Sequence, residues 1–252
     1  MFHLGLTQIL LLTLVAIVAG IVDTLAGGGG LITVPALLFS GVSPVLALGT
    51  NKLQSCLCET SATLMFSKRN TLNLKTLKTG LLFTLIGSML GTWLLQHTQA
   101  DLLKKLVPFF LVGVFLMNLL TKYQIVPERA APSPSSNKSL IPLGLGIGFY
   151  NGFFGPGTGT IWAVGLQKGL KLSLKTATMM TKPLNLIGNL TALTIFFGSG
   201  QIDLVAGIAM GFGAILGGIC GANLVMLKNA RWLKVVFNLL MAASIVGAFC
   251  AI

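Results

Sequence analysis

Apolar residues fill most of this chain in long blocks, which short polar or glycine-rich stretches separate. A transmembrane helix needs about 20 apolar residues, so the third, fourth and fifth blocks of each half are long enough to cross a bilayer, whereas the second block of each half is too short. The pattern predicts an all-α polytopic membrane protein. The blocks are 4–25, 30–40, 44–66, 76–96 and 102–121, and then 139–154, 158–168, 172–197, 201–226 and 231–251.

The chain contains two copies of one apolar unit. Its first glycine-rich run, residues 20–29, aligns with residues 148–157, which places Asp23 opposite Asn151 at an offset of 128. Further on the offset becomes 130, with Lys52 opposite Lys182. Internal duplication in an apolar chain is typical of secondary transporters, which bind their substrate between the two repeats.

A polar stretch rich in proline and serine joins the two copies. This composition is typical of a linker outside the membrane, because it offers few apolar side chains to bury. The chain therefore divides into a first membrane repeat at 1–121, a linker at 122–138 and a second membrane repeat at 139–252.

The composition indicates that lipid surrounds this protein. Hydrophobic residues make up 54% of the chain and charged residues 9%, with a mean hydropathy of +0.89, whereas soluble domains carry about 25% charged residues. The net charge is +12, but the basic residues cluster in short loops, which is the positive-inside bias of membrane proteins. A nucleic-acid partner would need a soluble basic face. We therefore expect a lipid bilayer, and no nucleic acid, as partner.

The loop charges differ between the two copies. Residues 67–75 are basic, but their equivalents at 198–203 contain no lysine or arginine. Residues 40–44 are uncharged, but their equivalents at 168–175 are basic. Because basic loops stay in the cytoplasm, this predicts two inverted structural repeats, each with a Gly-broken helical hairpin plus three transmembrane helices. The linker would lie inside and both termini outside.

Each copy contains a break in its apolar pattern. The sequence reads GGGG at 27–30 and GPGTG at 155–159, and neither run holds a regular helix. Backbone that leaves a helix inside a membrane must face protein or a water-filled cavity, and the N–H groups that start the next helix attract anions. Close helix packing through glycine is the alternative. The predicted anion-binding residues of the breaks are Gly28, Gly29, Gly30, Asn151, Gly157 and Thr158.

A polar stripe follows each break, with residues at the spacing of one helix face. Ionisable residues in a membrane helix usually face the interior or a partner, and snorkelling of the lysines or a structural ion pair of Glu59 are the alternatives. We predict a site for a small anionic substrate, in which Asp23 and Glu59 carry a coupling proton. The stripes are Lys52, Ser55 and Glu59, and Lys182, Asn185 and Asn189. The substrate-binding residues predicted in the stripes are Lys52, Ser55, Lys182 and Asn185. Asn51 and Thr181, which directly precede the two lysines, are predicted to bind substrate as well.

At these motifs the chain resembles the sulfite exporter TauE/SafE family, and within it the YfcA-like branch. The resemblance rests on DTLAGGGGLITVP at 23–35, ALGTNKLQ at 47–54 and GFYNGFFGPGTGT at 148–160. It implies a transporter of sulfur-containing anions, such as sulfite, sulfonates or other organosulfur acids, in the bacterial inner (plasma) membrane. Asn151 departs from the family pattern, which often has aspartate there, and so removes one possible proton carrier from the second half.

The leading hypothesis is a secondary transporter of small anions that works by alternating access between the repeats. A passive anion channel with the same pore and a non-transporting membrane assembly factor are the alternatives. An enzyme is not expected, because the two histidines, His3 and His97, lie near segment ends and outside any HExxH or GxSxG motif. We expect no metal and no cofactor, and the sequence leaves the oligomeric state open.

Overall fold

In the computed structural model, residues 4–68, 74–120 and 137–227 are described, and every regular element within them is helical. A short 3₁₀ helix at Leu74–Leu77 leads into the fourth α-helix. Most of the predicted linker and the last predicted segment, 231–251, lie outside the described residues. The α-helices are α1 (Leu6–Ala26), α2 (Gly30–Phe39), α3 (Pro44–Lys68), α4 (Lys78–Gln96), α5 (Ala100–Leu120), α6 (Asn137–Phe153), α7 (Thr158–Leu170), α8 (Leu174–Gly198) and α9 (Leu204–Met226).

Three of the described helices, α1, α4 and α9, are long and apolar enough to cross a membrane. Their outer faces carry large apolar side chains: Leu10, Trp93 and Phe212 are each more than half exposed. Such faces are stable against lipid rather than water. Helices α3 and α8, of 25 residues each, are also long enough to cross, but they carry the polar stripes, which are buried inside the molecule except for the half-buried Ser55. The described chain is thus an all-helical membrane protein.

Helices α1 to α4 and helices α6 to α9 follow the same plan. In each half a long helix ends at a glycine break, a short helix follows, and a polar helix and then an apolar helix complete the set. The breaks require glycine, because Gly27, Gly155 and Gly157 have φ angles of +74°, +97° and +80°, a region that side chains disfavour. The predicted glycine breaks are therefore present in both halves.

The helices of one half pack mainly on helices of the other. Helix α1 packs along α9, while their counterparts α6 and α4 pack along each other. These contacts bring backbones together: a Cβ on Gly20 would lie 2.9 Å from the carbonyl oxygen of Ala214, and one on Gly148 would lie 2.6 Å from that of Thr84. Small residues allow membrane helices to approach this closely. The two halves therefore form one interlocked bundle.

Helices α3 and α8, which are counterparts, pack at the centre and run in opposite directions. Near the start of α3, a Cβ on Gly49 would lie 2.8 Å from the ring of Phe196, near the end of α8. Near the end of α3, Phe66 packs in one cluster with Met179, near the start of α8. The offset of 130 places Gly49 opposite Met179 and Phe66 opposite Phe196, so the two contacts are equivalent.

The close approach of α4 and α6 predicts unequal effects at two glycines of α6. A Cβ on Gly152 would lie 2.0 Å from the carbonyl oxygen of Ser88, whereas one on Gly146 would meet nothing within 4 Å. Gly152→Ala should therefore lower the free energy of unfolding by about 1–3 kcal/mol, and Gly146→Ala should leave it unchanged or raise it by up to about 1 kcal/mol. Thermal unfolding of both variants in detergent measures the difference, and equal stabilities would contradict this packing.

Candidate functional site

The two glycine breaks touch each other between the halves. A Cβ on Gly27 would lie 2.2 Å from the carbonyl carbon of Gly159, and one on Gly159 would lie 2.4 Å from the Cα of Gly27. The hydroxyl of Thr160 donates a hydrogen bond of 2.6 Å to the carbonyl oxygen of Ala26 and so joins α7 to the end of α1. The absence of side chains at both glycines thus permits the two breaks to form one site.

Lys182, on α8, reaches the break of the first half. Its side chain is 0% exposed, and its ammonium group donates to the carbonyl oxygen of Asp23 at 2.5 Å and to the Asp23 carboxylate at 3.0 Å. The other carboxylate oxygen of Asp23 accepts a hydrogen bond of 3.1 Å from the backbone N–H of Gly29. Asp23 therefore connects Lys182 to the start of α2.

Lys52, on α3, makes the equivalent contact with the break of the second half. It is 1% exposed, and its ammonium group donates to the backbone oxygen of Asn151 at 2.5 Å and to the side-chain oxygen at 2.7 Å. A third hydrogen bond, of 3.0 Å, goes to the side-chain oxygen of Asn189. Both lysines are thus buried at the centre rather than snorkelling to an interface.

Asn189 connects Lys52 to Glu59. While its oxygen accepts from Lys52, its nitrogen donates to the Glu59 carboxylate at 2.9 Å. Glu59 is 2% exposed, and among the described residues it forms no ion pair within 4.0 Å. Asn189 is part of the predicted stripe but was not among the predicted binding residues. Its spacing of seven residues from Lys182 already indicated that it shares a helix face with that lysine.

The two lysines occupy equivalent positions but have unequal surroundings. The first half provides the acids Asp23 and Glu59, whereas the second half has the amides Asn151 and Asn189 at the equivalent positions. Lys182 therefore has a carboxylate partner, and Lys52 is held by neutral oxygen atoms. The formal charges of two lysines and two acids still sum to zero, which matters because unbalanced charge in a buried site is costly.

A small cavity lies where the breaks meet. Its volume is about 10 Å³, close to the minimum for one water molecule. The side chains of Lys52 and Lys182 lie beside it without lining it. Eight predicted site residues line it, namely Asp23, Gly30, Asn51, Ser55, Glu59, Gly157, Thr158 and Asn185, and the lining also includes Gly27, Gly155, Gly159 and Asn189.

Besides the two lysines, four predicted residues do not line the cavity, namely Gly28, Gly29, Asn151 and Thr181. The carbonyl of Gly28 accepts a hydrogen bond of 3.0 Å from the N–H of Leu31, at the start of α2. The hydroxyl of Thr181 donates to the carbonyl oxygen of Thr178 at 2.8 Å, so its own helix satisfies it. Gly28 and Thr181 belong to the motifs, but Gly28 has no side chain and the Thr181 hydroxyl is bonded within α8.

Thr33 belongs to the site, although the sequence pattern did not indicate it. Its hydroxyl donates to the side-chain oxygen of Asn51 at 2.6 Å, which fixes the orientation of this cavity-lining amide. The only signal in the sequence was a polar residue one turn into a short apolar helix, which is too common to single out a site.

The ion pair of Lys182 and Asp23 predicts a specific result in a double-mutant cycle. Lys182→Met leaves a largely buried carboxylate without its cation and should lower the free energy of unfolding by about 3–5 kcal/mol. Adding Asp23→Asn should recover much of that loss, because no charge is then left unpaired. The exposed Lys78 provides a control, since Lys78→Met should change stability by less than about 1 kcal/mol. Additive effects of the two site substitutions would contradict a direct interaction.

Comparisons with known proteins agree over nearly the whole chain. The family model described as "Sulfite exporter TauE/SafE" matches residues 12–248. A "Probable membrane transporter protein" of Haemophilus influenzae is 36% identical over 250 residues, which cover 96% of each chain. The "Probable membrane transporter protein YfcA" of Escherichia coli K12 is 37% identical over 220 residues, which cover 87% of this chain and 81% of its own. No solved structure matches this chain. The protein thus belongs to the sulfite exporter TauE/SafE family, whose relatives are named as membrane transporters rather than enzymes.

Proposed function

We propose that this protein is a secondary transporter that carries small anions across the membrane by alternating access between its halves. The observation that carries this proposal is the pair of buried lysines, each extending from the polar helix of one half to the broken backbone of the other. A charged side chain inside a membrane protein is costly and usually serves transport. Transporters built from internal repeats bind their substrates at broken helices of this kind.

The two repeats are proposed to be inverted relative to the membrane. Support comes from α3 and α8, which are counterparts and run in opposite directions where they pack. Further support comes from α1 and α6, each of which packs on the last helix of the other half's set of four. Halves related in this way can exchange conformations, so that the site between them opens first to one side and then to the other.

The lysine-rich end of the molecule is proposed to face the cytoplasm, with the chain crossing the bacterial inner membrane several times. Leu77 and Leu172 pack in one cluster, so the start of α4 and the end of α7 lie at the same end. The exposed Lys78 and Lys171 lie next to these leucines in the sequence, and the exposed Lys168 lies in the last turn of α7. Basic residues concentrate on the cytoplasmic side of membrane proteins, which supports this orientation.

The proposed substrate is a small sulfur-containing anion, a class suggested by the description of the matching family. The ammonium group of Lys52 donates to neutral backbone and amide oxygens, and an oxyanion is a stronger acceptor that can replace them. Lys182 donates to a backbone oxygen as well as to the Asp23 carboxylate. The N–H groups at the starts of α2 and α7 add partial positive charge. A cavity of about 10 Å³ is too small for such an anion, so the breaks must separate when it binds.

Asp23 and Glu59 are proposed to bind the cation whose movement is coupled to anion transport, and a proton is the smallest such cation. An anion that binds Lys52 adds negative charge to a site whose formal charges already balance. Because unbalanced buried charge is costly, the anion binds best when one carboxylate is neutralised at the same time. Asn189 contacts both Lys52 and Glu59 and so links the two events.

Anion binding can be tested by thermal shift on detergent-purified protein with sulfite, sulfate, thiosulfate, taurine, sulfoacetate and matched carboxylates. A ligand that binds the folded state raises the melting temperature by mass action. We expect a shift with a sulfur-containing anion that is lost in Lys52→Ala and Lys182→Ala and kept in Lys78→Ala, a control at the surface. If no anion gives a shift, or if the shift survives in both site variants, the proposed substrate site is wrong.

Coupling can be tested by uptake of the identified anion into proteoliposomes with and without an imposed pH gradient. Wild-type protein should accumulate the anion above its external concentration, whereas a passive channel would only equilibrate it. Glu59→Gln should reduce the gradient-driven accumulation by about tenfold or more. Unchanged pH dependence in both Glu59→Gln and Asp23→Asn would exclude these carboxylates as proton carriers.

A further inference from the structure

We propose that the cavity between the two glycine breaks binds a small monovalent metal cation, Na⁺, which can take the place of the proton as the coupling ion. Binding of the cation is inferred from the cavity itself, whereas its coupling role rests on the proposed transport function. In this view Na⁺ and a proton compete for the same carboxylates, with Na⁺ the better fit to the cavity.

The lining of the cavity has the chemistry of a cation site. Asp23 and Glu59, which carry carboxylates, line it, together with Ser55, Thr158 and Asn185, which carry neutral side-chain oxygens. The lysines next to the cavity contribute no lining atoms, because their ammonium groups face the break carbonyls and the oxygens of Asp23, Asn151 and Asn189. An anion in this space would meet two carboxylates as well as the helix starts, whereas a cation would be bound by these carboxylates and by neutral oxygens.

Asn185 provides an independent sign of a missing partner. This residue is 2% exposed, and its side-chain oxygen has no hydrogen-bond partner among the described residues. A buried acceptor without a partner is costly and calls for an explanation. Glu59 likewise has spare capacity, because the one hydrogen bond described for its carboxylate comes from Asn189. A small cation between these residues satisfies both.

Size and charge select the kind of cation. A volume of about 10 Å³ accommodates one small ion without a hydration shell, whereas Mg²⁺ usually keeps several waters. The formal charges around the cavity sum to zero, so one added positive charge is tolerated far better than two. Within the described residues no group of three or more His, Cys, Asp or Glu side chains could hold a metal, which argues against a transition metal.

Cation binding at this place would favour anion binding nearby. A cation bound by Asp23 competes with Lys182 for that carboxylate, and a cation bound by Glu59 weakens the hold of Asn189 on Lys52. Either change frees an ammonium group, which can then bind an anion. The coupling must be reciprocal, so the anion should raise the affinity for the cation by the same factor.

The first test is thermal unfolding of purified protein at fixed pH, titrated with NaCl, LiCl, KCl or choline chloride at constant total chloride and without substrate. We expect a saturable rise in melting temperature with Na⁺ that K⁺ and choline do not give. Binding of radioactive ²²Na⁺ to the same protein provides a direct second measurement. If Na⁺ and choline give equal melting temperatures and no ²²Na⁺ is retained, the proposal is overturned.

Variants then locate the ion. Glu59→Gln keeps the shape of the side chain but removes its charge, and Asn185→Leu removes the unpartnered oxygen. Both should weaken Na⁺ binding by about tenfold or more, whereas Asn185→Asp should retain it because it keeps an oxygen ligand. Thr191→Val is the matched control on α8, since the Thr191 hydroxyl is bonded within its own helix and Na⁺ binding should be unchanged. Full Na⁺ affinity in both Glu59→Gln and Asn185→Leu would place the ion elsewhere.

The same assays separate this proposal from the proposed transport function. A Na⁺ shift without any anion shift would support the cation site and contradict the anion site. An anion shift that is independent of Na⁺, with no ²²Na⁺ bound, would support anion transport and overturn the cation site. A shift that appears only on acidification, and not with Na⁺, would also overturn it and leave a proton as the coupling ion.

Discussion

Two ammonium groups at the centre of an apolar molecule need oxygen atoms, and the rest of the arrangement follows from this need. The carbonyl oxygens of a regular helix are already used by its own hydrogen bonds, so they satisfy a lysine poorly. The last carbonyls before a helix break have fewer helical partners, and both ammonium groups bind there. Lys52 donates to the carbonyl of Asn151, and Lys182 donates to that of Asp23, which also accepts the N–H of Gly27. The buried lysines and the broken helices therefore depend on each other.

This dependence also joins the two halves. Each lysine belongs to one repeat and its oxygen partners mainly to the other, so one repeat alone would leave its lysine without them. The contacts that hold the halves together at the centre are the same contacts that an anion would replace. In the proposed transport cycle, substrate binding then loosens the interface between the halves at the place where the breaks must separate, which links recognition to movement.

The two equivalent lysines differ in charge balance, because the first half has acids where the second half has amides. Lys182 is neutralised by Asp23 at 3.0 Å, and this ion pair joins α8 to the first break. Lys52 meets neutral oxygens and communicates with Glu59 through Asn189. In the proposed transport cycle, an incoming anion would therefore compete with weaker acceptors at Lys52 than at Lys182, which makes Lys52 better suited to the first contact.

The sequence by itself determined the features that local patterns encode. The glycine runs at 27–30 and 155–159 predicted both breaks, and the spacing of the stripes predicted that Lys52 and Lys182 lie on the polar faces of α3 and α8. Spacing along a helix fixes which side chains share a face, but it does not determine what that face meets. That depends on how helices distant in the sequence cross, and only the tertiary structure decided it. It paired Lys182 with Asp23 and Lys52 with Asn151, brought Asn189 and Thr33 into the site, and turned both ammonium groups toward the breaks, because the crossing of the two halves places the end of each broken helix beside the polar helix of the other half.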